Sequence, residues 1–291
     1  IGLNVGVIHA LWTMHRLGAL DGSHPEATAV AVAALRHDSP GVRRNAVQVL
    51  PGESESTAAL LSSGALTESD AQVRLASFLA LSDLPPAPRA GAAILAALQR
   101  PANLHDRWIP DAAISAAAAH SDGFLKAVAK RTNPPAESVL KAAGIVAEHF
   151  ARGRASDSVA SIVAQLTAAD SSVADAIIGG LARGWPAGAA AKLDRQLESD
   201  LEQVLTRLSP GSRGLLVKLA RGWGSTRFEK YAREVSAALL RQLDDAALTT
   251  DRRLAAAEQL VEFRPLDADV VVALLKRISP QMPPGLASGM I

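Results

Sequence analysis

The chain has 291 residues, of which 48% are hydrophobic but only 3% are aromatic. It is long and apolar enough to bury a core, and its Ala-, Leu- and Val-rich composition predicts helices instead of strands. The 30 basic and 29 acidic residues are scattered along the chain, which argues against the clustered basic face of a nucleic-acid-binding protein. The absence of cysteine excludes disulfides, Cys-ligated zinc, thiol catalysis and covalently attached haem within this segment.

The apolar runs and the ends of the chain give two further expectations. No run reaches the roughly 18 residues needed to cross a bilayer, so we expect no membrane span. The start has no basic stretch followed by an apolar one, as a secretory signal would have. The chain begins at Ile1 and ends at Met290-Ile291 without a polar tail, so we expect it to be a fragment of a longer protein.

Regularly spaced prolines and the periodicity of apolar residues predict many short helices along the chain. Prolines recur along the whole chain at positions that suit the space between helices or a first helical turn. Apolar residues recur at steps of three and four in residues 187–208, 227–243 and 251–263, which predicts amphipathic helices there. Many short helices with short connections favour an α-solenoid.

Self-similar segments support a repeat architecture. Residues 38–46 resemble residues 70–77 at a spacing of about 31, and residues 106–113 form a degenerate third copy. The pentapeptide LARGW occurs at residues 181–185 and again at 219–223, at a spacing of about 38. We therefore predict a single repeat domain over residues 1–291. Its repeats lie at roughly 1–20, 25–51, 53–84, 88–120, 121–152, 155–186, 187–224, 225–264 and 265–291.

A short pattern opens the second helix of the predicted repeats. Asp38 lies in the turn, Val42 and Arg43 follow at the start of the helix, and Ala46 comes one turn later. This pattern resembles the signature of HEAT repeats and related bacterial HEAT-like families. The resemblance implies an all-α, right-handed α-solenoid of stacked antiparallel helix pairs. It also implies that the acid caps or brackets the second helix, that the Arg reaches the acid of the neighbouring repeat, and that the small residue allows close packing.

A second group of segments carries a narrower resemblance. These are His9-Ala10-Leu11-Trp12-Thr13-Met14, Leu17-Gly18-Ala19-Leu20, the hairpin of Ala34-Leu35-Arg36-His37-Asp38 with Val42-Arg43, Asp106-Arg107-Trp108-Ile109, Gly180-Leu181-Ala182-Arg183-Gly184-Trp185-Pro186 and Ile278-Ser279-Pro280-Gln281. Together they resemble the HEAT region of large exported multidomain proteins of planctomycete-type bacteria. The resemblance implies a link between a propeller similar to quinone-dependent dehydrogenases and a c-type cytochrome module, and an exported, periplasmic or cell-envelope location. Without cysteine no haem can be attached within this segment, so redox chemistry is not assigned to it and no cofactor is expected.

Each LARGW copy follows an apolar helical stretch and ends in the order Arg-Gly-Trp, at Arg183-Gly184-Trp185 and Arg221-Gly222-Trp223. Arg suits the negative end of the helix dipole, and Gly can adopt the left-handed conformation that closes a helix. We interpret the pentapeptide as a helix stop whose Trp folds back onto the helix or the next repeat. A repeated Arg/Trp recognition ridge is the alternative interpretation.

No catalytic, metal or cofactor site is predicted. No two of the seven histidines have the i, i+4 spacing of helical metal ligands. His120-Ser121-Asp122 is interpreted as an exposed histidine at a helix end beside a capping Asp. Trp12 and Trp108 lie among apolar positions, which predicts packing in the core or between repeats. Phosphate-loop and nucleophile motifs are absent, so no small-molecule substrate is identified.

The sequence therefore predicts a non-enzymatic scaffold that presents a helical surface to a protein partner or to adjacent domains of its parent chain. One alternative is the spacer of an exported dehydrogenase and cytochrome protein. Another is a HEAT-like nucleic-acid glycosylase, which would need a basic concave face on which a Trp and an Asp converge. The candidate interaction or repeat-bracing residues are Asp38, Arg43, Arg74, Arg183, Trp185, Arg221, Trp223 and Arg252.

Overall fold

Helices form all of the regular structure in the part of the chain that is described. The computed structural model describes residues 4–153, 158–264, 267–279 and 282–289. Within these ranges the regular elements are α-helices, so the predicted all-α class is confirmed. None of the described helices is both long enough and apolar enough to cross a membrane. The contacts group the residues into two compact units, Ile1–Pro186 and Ala187–Ile291, which are described separately below.

The first unit is a series of short helices joined by short connections. They are α1 (Val5–Arg16), α2 (Pro25–Ala34), α3 (Pro40–Gln48), α4 (Ser54–Ser63), α5 (Ala71–Asp83), α6 (Pro88–Leu98), α7 (Pro101–Leu104), α8 (Ile109–Ala119), α9 (Ser121–Ala129), α10 (Glu137–Arg152), α11 (Val159–Leu166) and α12 (Ser171–Gly184).

Proline and aspartate side chains set the starts of many of these helices. Proline opens α2, α3, α6 and α7, where its missing N–H would have no intrahelical partner. The Asp70 carboxylate accepts the Gln72 and Val73 N–H groups of α5, and the Asp170 carboxylate accepts the Ser172 N–H group of α12. Each bond satisfies a donor that the first helical turn leaves open.

Alternate helices of the first unit pack against each other in two rows. Row A consists of α1, α3, α5, α8, α10 and α12, each packed against the next in that order. Row B consists of α2, α4, α6, α9 and α11, packed in the same manner. The rows also touch, for example through α6 with α8 and α9 with α10. Buried apolar side chains come from both rows, among them Phe78, Ile94, Phe124 and Val146, so the rows share the core.

The second unit packs mainly through helices that follow one another in sequence. Its helices are α13 (Arg195–Arg207), α14 (Pro210–Gly222), α15 (Glu229–Asp244), α16 (Thr250–Phe263), α17 (Ala268–Leu275) and α18 (Pro284–Gly289). Contacts join α13 to α14, α14 to α15, α15 to α16, and α16 to both α17 and α18. Leu243, Leu260, Val270, Leu274 and Leu286 belong to the core at the end of this unit.

One predicted helix is too long at its start. The periodic stretch 187–208 was expected to be one helix, but α13 begins at Arg195. Gly188 has a φ of 76°, and the Asp194 carboxylate accepts the Leu197 N–H group, so the chain turns before a capped helix start. The periodic stretch in the sequence thus begins several residues before the helix itself begins. The helices predicted at 227–243 and 251–263 correspond to α15 and α16.

The predicted repeat intervals from 25–51 to 225–264 each contain a pair of helices, and the interval 88–120 also contains α7. Their equivalence as repeats of one domain stays a prediction. The starts of the intervals 1–20, 155–186 and 265–291 lie outside the described residues, as do Pro280 and Gln281.

Candidate functional site

Arg43 joins two successive turns of the first unit. Its guanidinium donates to the backbone carbonyls of His37 and Asp38, at 2.7 and 3.0 Å, in the turn before α3. Its Nε donates to Glu68 Oε2 at 2.7 Å, in the turn before α5. Arg43 therefore reaches the acid of the next helix pair. Of the two roles that the resemblance implied for Asp38, capping of α3 is wrong, since its side chain makes no capping bond, and Asp38 instead offers its carbonyl to Arg43.

Arg74 repeats this arrangement one helix pair later. It donates to the carbonyls of Glu68 and Ser69, both at 2.8 Å, and its Nε donates to Asn103 Oδ1 at 2.6 Å. Arg74 is only 6% exposed and Asn103 is fully buried, so neutral oxygens satisfy a buried guanidinium. Glu68 binds both arginines, because its carboxylate accepts from Arg43 and its backbone carbonyl accepts from Arg74. We call these arginine contacts between successive turns the arginine braces. Three consecutive turns are linked in this way.

In the second unit, the arginine that joins two helices is Arg253, and not the predicted Arg252 beside it. Arg252 is exposed in the first turn of α16, whereas Arg253 donates from Nε to the Leu243 carbonyl at 2.7 Å. Arg253 thereby ties α16 to the end of α15.

The first LARGW copy ends α12 and contacts α10. Arg183 Nε donates to Glu148 Oε2 at 3.0 Å, and the same carboxylate pairs with Arg152. The Arg183 hydrogen bond, aided by the charge of Arg152, lowers the pKa of Glu148 below its usual value. The sequence correctly placed a basic residue in the last turn, but did not reveal this Arg-Glu-Arg triad.

The glycine of this first copy packs against another helix and does not close its own. Gly184 is the last residue of α12 and lacks the positive φ that we expected. A Cβ on Gly184 would overlap the Glu148 carbonyl, and one on Gly180 would overlap the Gly144 carbonyl. Gly180 and Gly184 thus let α12 approach the backbone of α10, as small residues four apart on a helix do. Trp185, before Pro186, is extended and half-buried.

The second copy ends α14 with a true glycine cap, one residue beyond the pentapeptide. Gly224 has a φ of 95°; its N–H donates to the Arg221 carbonyl at 2.8 Å, and the Ser225 N–H donates to the Ala220 carbonyl at 3.0 Å. These two bonds form a Schellman motif. The prediction that Gly222 is left-handed is therefore wrong, since Gly222 is the last helical residue and faces open space.

Arg221 also belongs to an Arg-Glu-Arg triad. Its Nε lies 3.1 Å from Glu229 Oε2, while Arg264 Nη2 donates to Glu229 Oε1 at 2.9 Å. The Arg264 hydrogen bond is the main cause that lowers the pKa of Glu229, with the charges of Arg221 and Arg264 acting in the same direction. Arg264 also donates from Nη1 to Asp267 Oδ2 at 2.9 Å. Charged pairs therefore connect the segments from the end of α14 to the start of α17.

The four tryptophans have different environments. Trp223 is only 4% exposed, and Trp12 is half-buried with its Nε1 donating to Asn45 Oδ1 at 2.7 Å. Trp108, which was expected to pack in the core or between repeats, is 57% exposed. Its apolar neighbours in sequence misled the prediction, because Trp108 precedes α8 and does not lie on its buried face.

His120 is a polar residue whose role sequence reasoning missed. It is 1% exposed, not exposed at a helix end as we expected, and Asp122 pairs with Lys126 instead of capping. His120 Nδ1 accepts the Ala87 N–H at 2.9 Å, and Nε2 lies 2.9 Å from the Leu81 carbonyl. A neutral ring protonated on Nε2 satisfies both bonds. Burial lowers the pKa of His120, although the bond to Leu81 opposes this.

The predicted residues are not gathered at one catalytic centre. Asp38, Arg43 and Arg74 occupy neighbouring turns of the first unit, and Arg183 with Trp185 ends α12. In the second unit, Arg221 and Trp223 end α14 and Arg252 lies on α16. Across the described ranges, no group of three His, Cys, Asp or Glu side chains could hold a metal ion.

Two cavities stand apart from these residues. The larger, of about 490 Å³, lies among α13, α14 and α15 and is lined by Leu205, Arg213, Val217, Tyr231 and Val235, among others. The smaller, of about 240 Å³, lies at the ends of α3 and α5. Neither contains a residue that the sequence singled out as a candidate.

Taken with its fold, this arrangement defines an all-helical protein in which arginines tie successive helical segments together. Comparisons with family models, curated proteins and solved structures found no match for the chain.

Proposed function

We propose that the chain is a non-catalytic scaffold that binds a protein partner or adjacent domains of its parent chain through a right-handed, HEAT-like α-solenoid. The observation that carries this proposal is the packing of alternate helices into two rows in the first unit. Stacked helix pairs of this kind bury a continuous core and leave one row to form an extended surface.

The arginine braces support the same proposal. Arg43 and Arg74 each bind the turn before their own helix and the following turn, so each links a helix pair to its neighbour. Bracing of this kind keeps successive pairs in register and gives the surface a fixed form. A preformed surface loses less conformational entropy when a partner binds.

The proposal is tested by finding a partner and measuring its binding directly. The full chain would be cross-linked in its native cell, the captured protein purified, and its affinity measured by calorimetry at low and at physiological salt. Domains that flank the chain in its own reading frame would be tested first. The expected result is saturable binding with no turnover of either protein. Absence of binding at every salt concentration contradicts the proposal.

A matched pair of variants identifies the binding row. Ile145 lies on α10 of row A and is 40% exposed, and Val30 lies on α2 of row B and is 55% exposed. If one row forms the binding surface, Ile145→Glu or Val30→Glu weakens the affinity by about tenfold or more while the other variant does not. Equal affinities for both variants and the wild type would contradict an interface on either row at these positions.

The parent reading frame separates the spacer alternative from an independent scaffold. A dehydrogenase-like propeller encoded before this segment and a C-x-x-C-H cytochrome module after it would favour the spacer. Flanking sequences without these modules would favour the scaffold that acts alone.

A further inference from the structure

The connection between α6 and α8 differs from the equivalent connections in the first unit. Residues 99–108, which we call the α7 loop, join a row B helix to a row A helix and contain α7. The equivalent connections span residues 35–39, 64–70, 130–136 and 167–170 and contain no helix. Insertions within helical repeats fall on loops at one face, which is often the binding face.

Buried polar bonds fix the backbone of the α7 loop. Asn103 is fully buried, accepts from Arg74, and donates to the carbonyls of Leu66 and Ala97 at 3.2 and 2.8 Å. At the end of the loop, Asp106 Oδ1 accepts the N–H groups of Trp108 and Ile109 at 2.8 and 3.1 Å. These last two bonds hold the pKa of Asp106 below its usual value. The loop is therefore anchored at its centre and at its end.

This anchored loop displays an aromatic ring and positive charge to solvent. Trp108 is 57% exposed, and the Arg107 guanidinium carbon lies 4.6 Å from the centroid of its ring. Arg100 is also exposed in the same loop. Trp and Arg are enriched among the residues that dominate binding energy at protein interfaces, and a fixed backbone lowers the entropic cost of using them.

We propose that the α7 loop binds an acidic segment of a partner protein, with an apolar partner side chain against Trp108 and carboxylates beside Arg100 and Arg107. This inference rests on the proposed scaffold function. The charge of the loop points to an acidic partner because the Asp106 carboxylate is already engaged by backbone N–H groups. The exposed arginines are thus the charges that the loop offers to an incoming chain.

The charge pattern favours a protein segment over nucleic acid. Binding of single strands uses several aromatic residues in a positively charged groove, whereas the α7 loop contains one Trp, one His and no Phe or Tyr. Exposed Asp111 follows in the first turn of α8, where it would repel a phosphate backbone. The net charge of the whole chain is +1, which gives little general attraction to phosphates.

The proposal is tested by selection from a random peptide library displayed on phage, with the full chain as bait. Selected peptides should be rich in Asp and Glu, and their affinity for Trp108→Ala should fall by about tenfold or more. The Arg100→Ala/Arg107→Ala double variant should lose a similar factor at low salt and less at high salt, where surface charges are screened. Leu17→Ala is the control, because Leu17 is 79% exposed apolar surface elsewhere in the same unit.

Each result decides the inference. Acidic peptides that lose affinity for Trp108→Ala but not for Leu17→Ala support it, and if Trp108→Ala does not fold, the double arginine variant decides. Peptides that are not acidic, or that bind Trp108→Ala normally, overturn the inference but leave the scaffold proposal intact. A failed selection also overturns it, while the cross-linking experiment decides the scaffold separately. If the selection yields no acidic peptides but the chain binds oligothymidylate in a way that depends on Trp108, the inference is overturned in favour of a nucleic-acid partner.

Discussion

In the first unit alternate helices stack in two rows, whereas in the second unit the main contacts join consecutive helices. LARGW occurs once in each unit, which makes it a natural comparison between the two packing schemes. The copy that ends α12 lies in row A, beside α10, and its glycine admits the backbone of that neighbour. At the glycine of the copy that ends α14, no neighbouring backbone of the described residues comes close, and Gly224 closes the helix instead.

The arginine is the feature that both copies use in the same way. Arg183 and Arg221 each pair with a glutamate that a second arginine shares. A charged side chain at a helix end can reach a partner on whichever segment is near, while a glycine matters only where a backbone approaches. The comparison teaches that neighbouring helices, and not the pentapeptide alone, determine what each of its residues does.

The largest expected effect is on stability, and it distinguishes Trp223 from Trp185, the tryptophans of the two LARGW copies. Trp223 is 4% exposed and Trp185 is half-buried, so Trp223→Ala should cost the second unit about 3–5 kcal/mol, by the range for buried aromatic truncations. Trp185→Ala should cost the first unit clearly less. Hydrogen exchange read helix by helix, together with denaturant unfolding, measures each unit. Unchanged stability with lost partner binding for Trp223→Ala would instead favour the recognition ridge.

Matched glycine variants test the two packing schemes next. Gly184→Ala places a methyl group against the Glu148 carbonyl, so we expect a loss of about 1–3 kcal/mol as α12 and α10 separate. Gly222→Ala meets open space in a helical position, where alanine is favoured by up to about 1 kcal/mol. Denaturant midpoints of the two variants should therefore move in opposite directions. Equal destabilisation would show that the glycines have the same role.

Local features of this fold were predictable because they depend on residues close in sequence. Proline at helix starts, Arg183 and Arg221 in last turns, and the helices α15 and α16 follow from propensity, dipole and periodicity. The Arg43 contact with an acid of the next helix pair agrees with what the family resemblance implied, although the family itself stays a prediction.

Features that depend on a distant neighbour were not predictable from the sequence. The roles of Gly184 and His120 depend on Glu148 and on Leu81 and Ala87, which lie about 30 to 40 residues away. Exposure of Trp108 likewise follows from a loop anchored by Asn103, which the apolar pattern around α8 does not encode.

Acidification should weaken the first unit before the second. All seven histidines precede residue 187, and the pKa of His120 is lowered by burial. Because the unfolded chain binds a proton on this histidine more readily, stability should fall as pH drops below about 6.5 toward the lowered pKa. Protonation would also place an N–H of His120 against the Ala87 N–H.

Hydrogen exchange near neutral pH and at mildly acidic pH checks this difference between the units. The first unit should lose protection around α5, α6 and α8, while the second should not change over the same range. His120→Gln is the control, because its amide can accept from Ala87 and donate to Leu81 without titrating. A variant that keeps the wild-type pH dependence would rule out His120 as its source.

The smallest expected effects concern the two arginines, and they test what the copies share. The Arg183 and Arg221 side chains are 55% and 30% exposed, so Arg183→Gln and Arg221→Gln should each cost less than about 1 kcal/mol. The pKa values of their glutamates should differ more clearly. Arg183 is the main cause of the lowered pKa of Glu148, so its loss should raise that pKa toward the usual value. Glu229 is held mainly by Arg264, and Arg221→Gln should raise its pKa less.

Carboxyl titration by NMR measures both shifts, and acid unfolding checks their sign. A carboxyl whose pKa is lowered by folding contributes stability above its unfolded pKa, and loses it as pH falls through the folded value. Arg183→Gln should therefore remove part of the stability of the first unit that is normally lost below about pH 4.5, whereas Arg221→Gln should change the second unit little. Equal shifts at Glu148 and Glu229 would mean that Arg221 lowers the pKa of Glu229 as much as Arg183 lowers that of Glu148, although Arg264 also donates to Glu229 at 2.9 Å. The two triads would then be equivalent, and the difference between the LARGW copies would lie in their glycines and tryptophans alone.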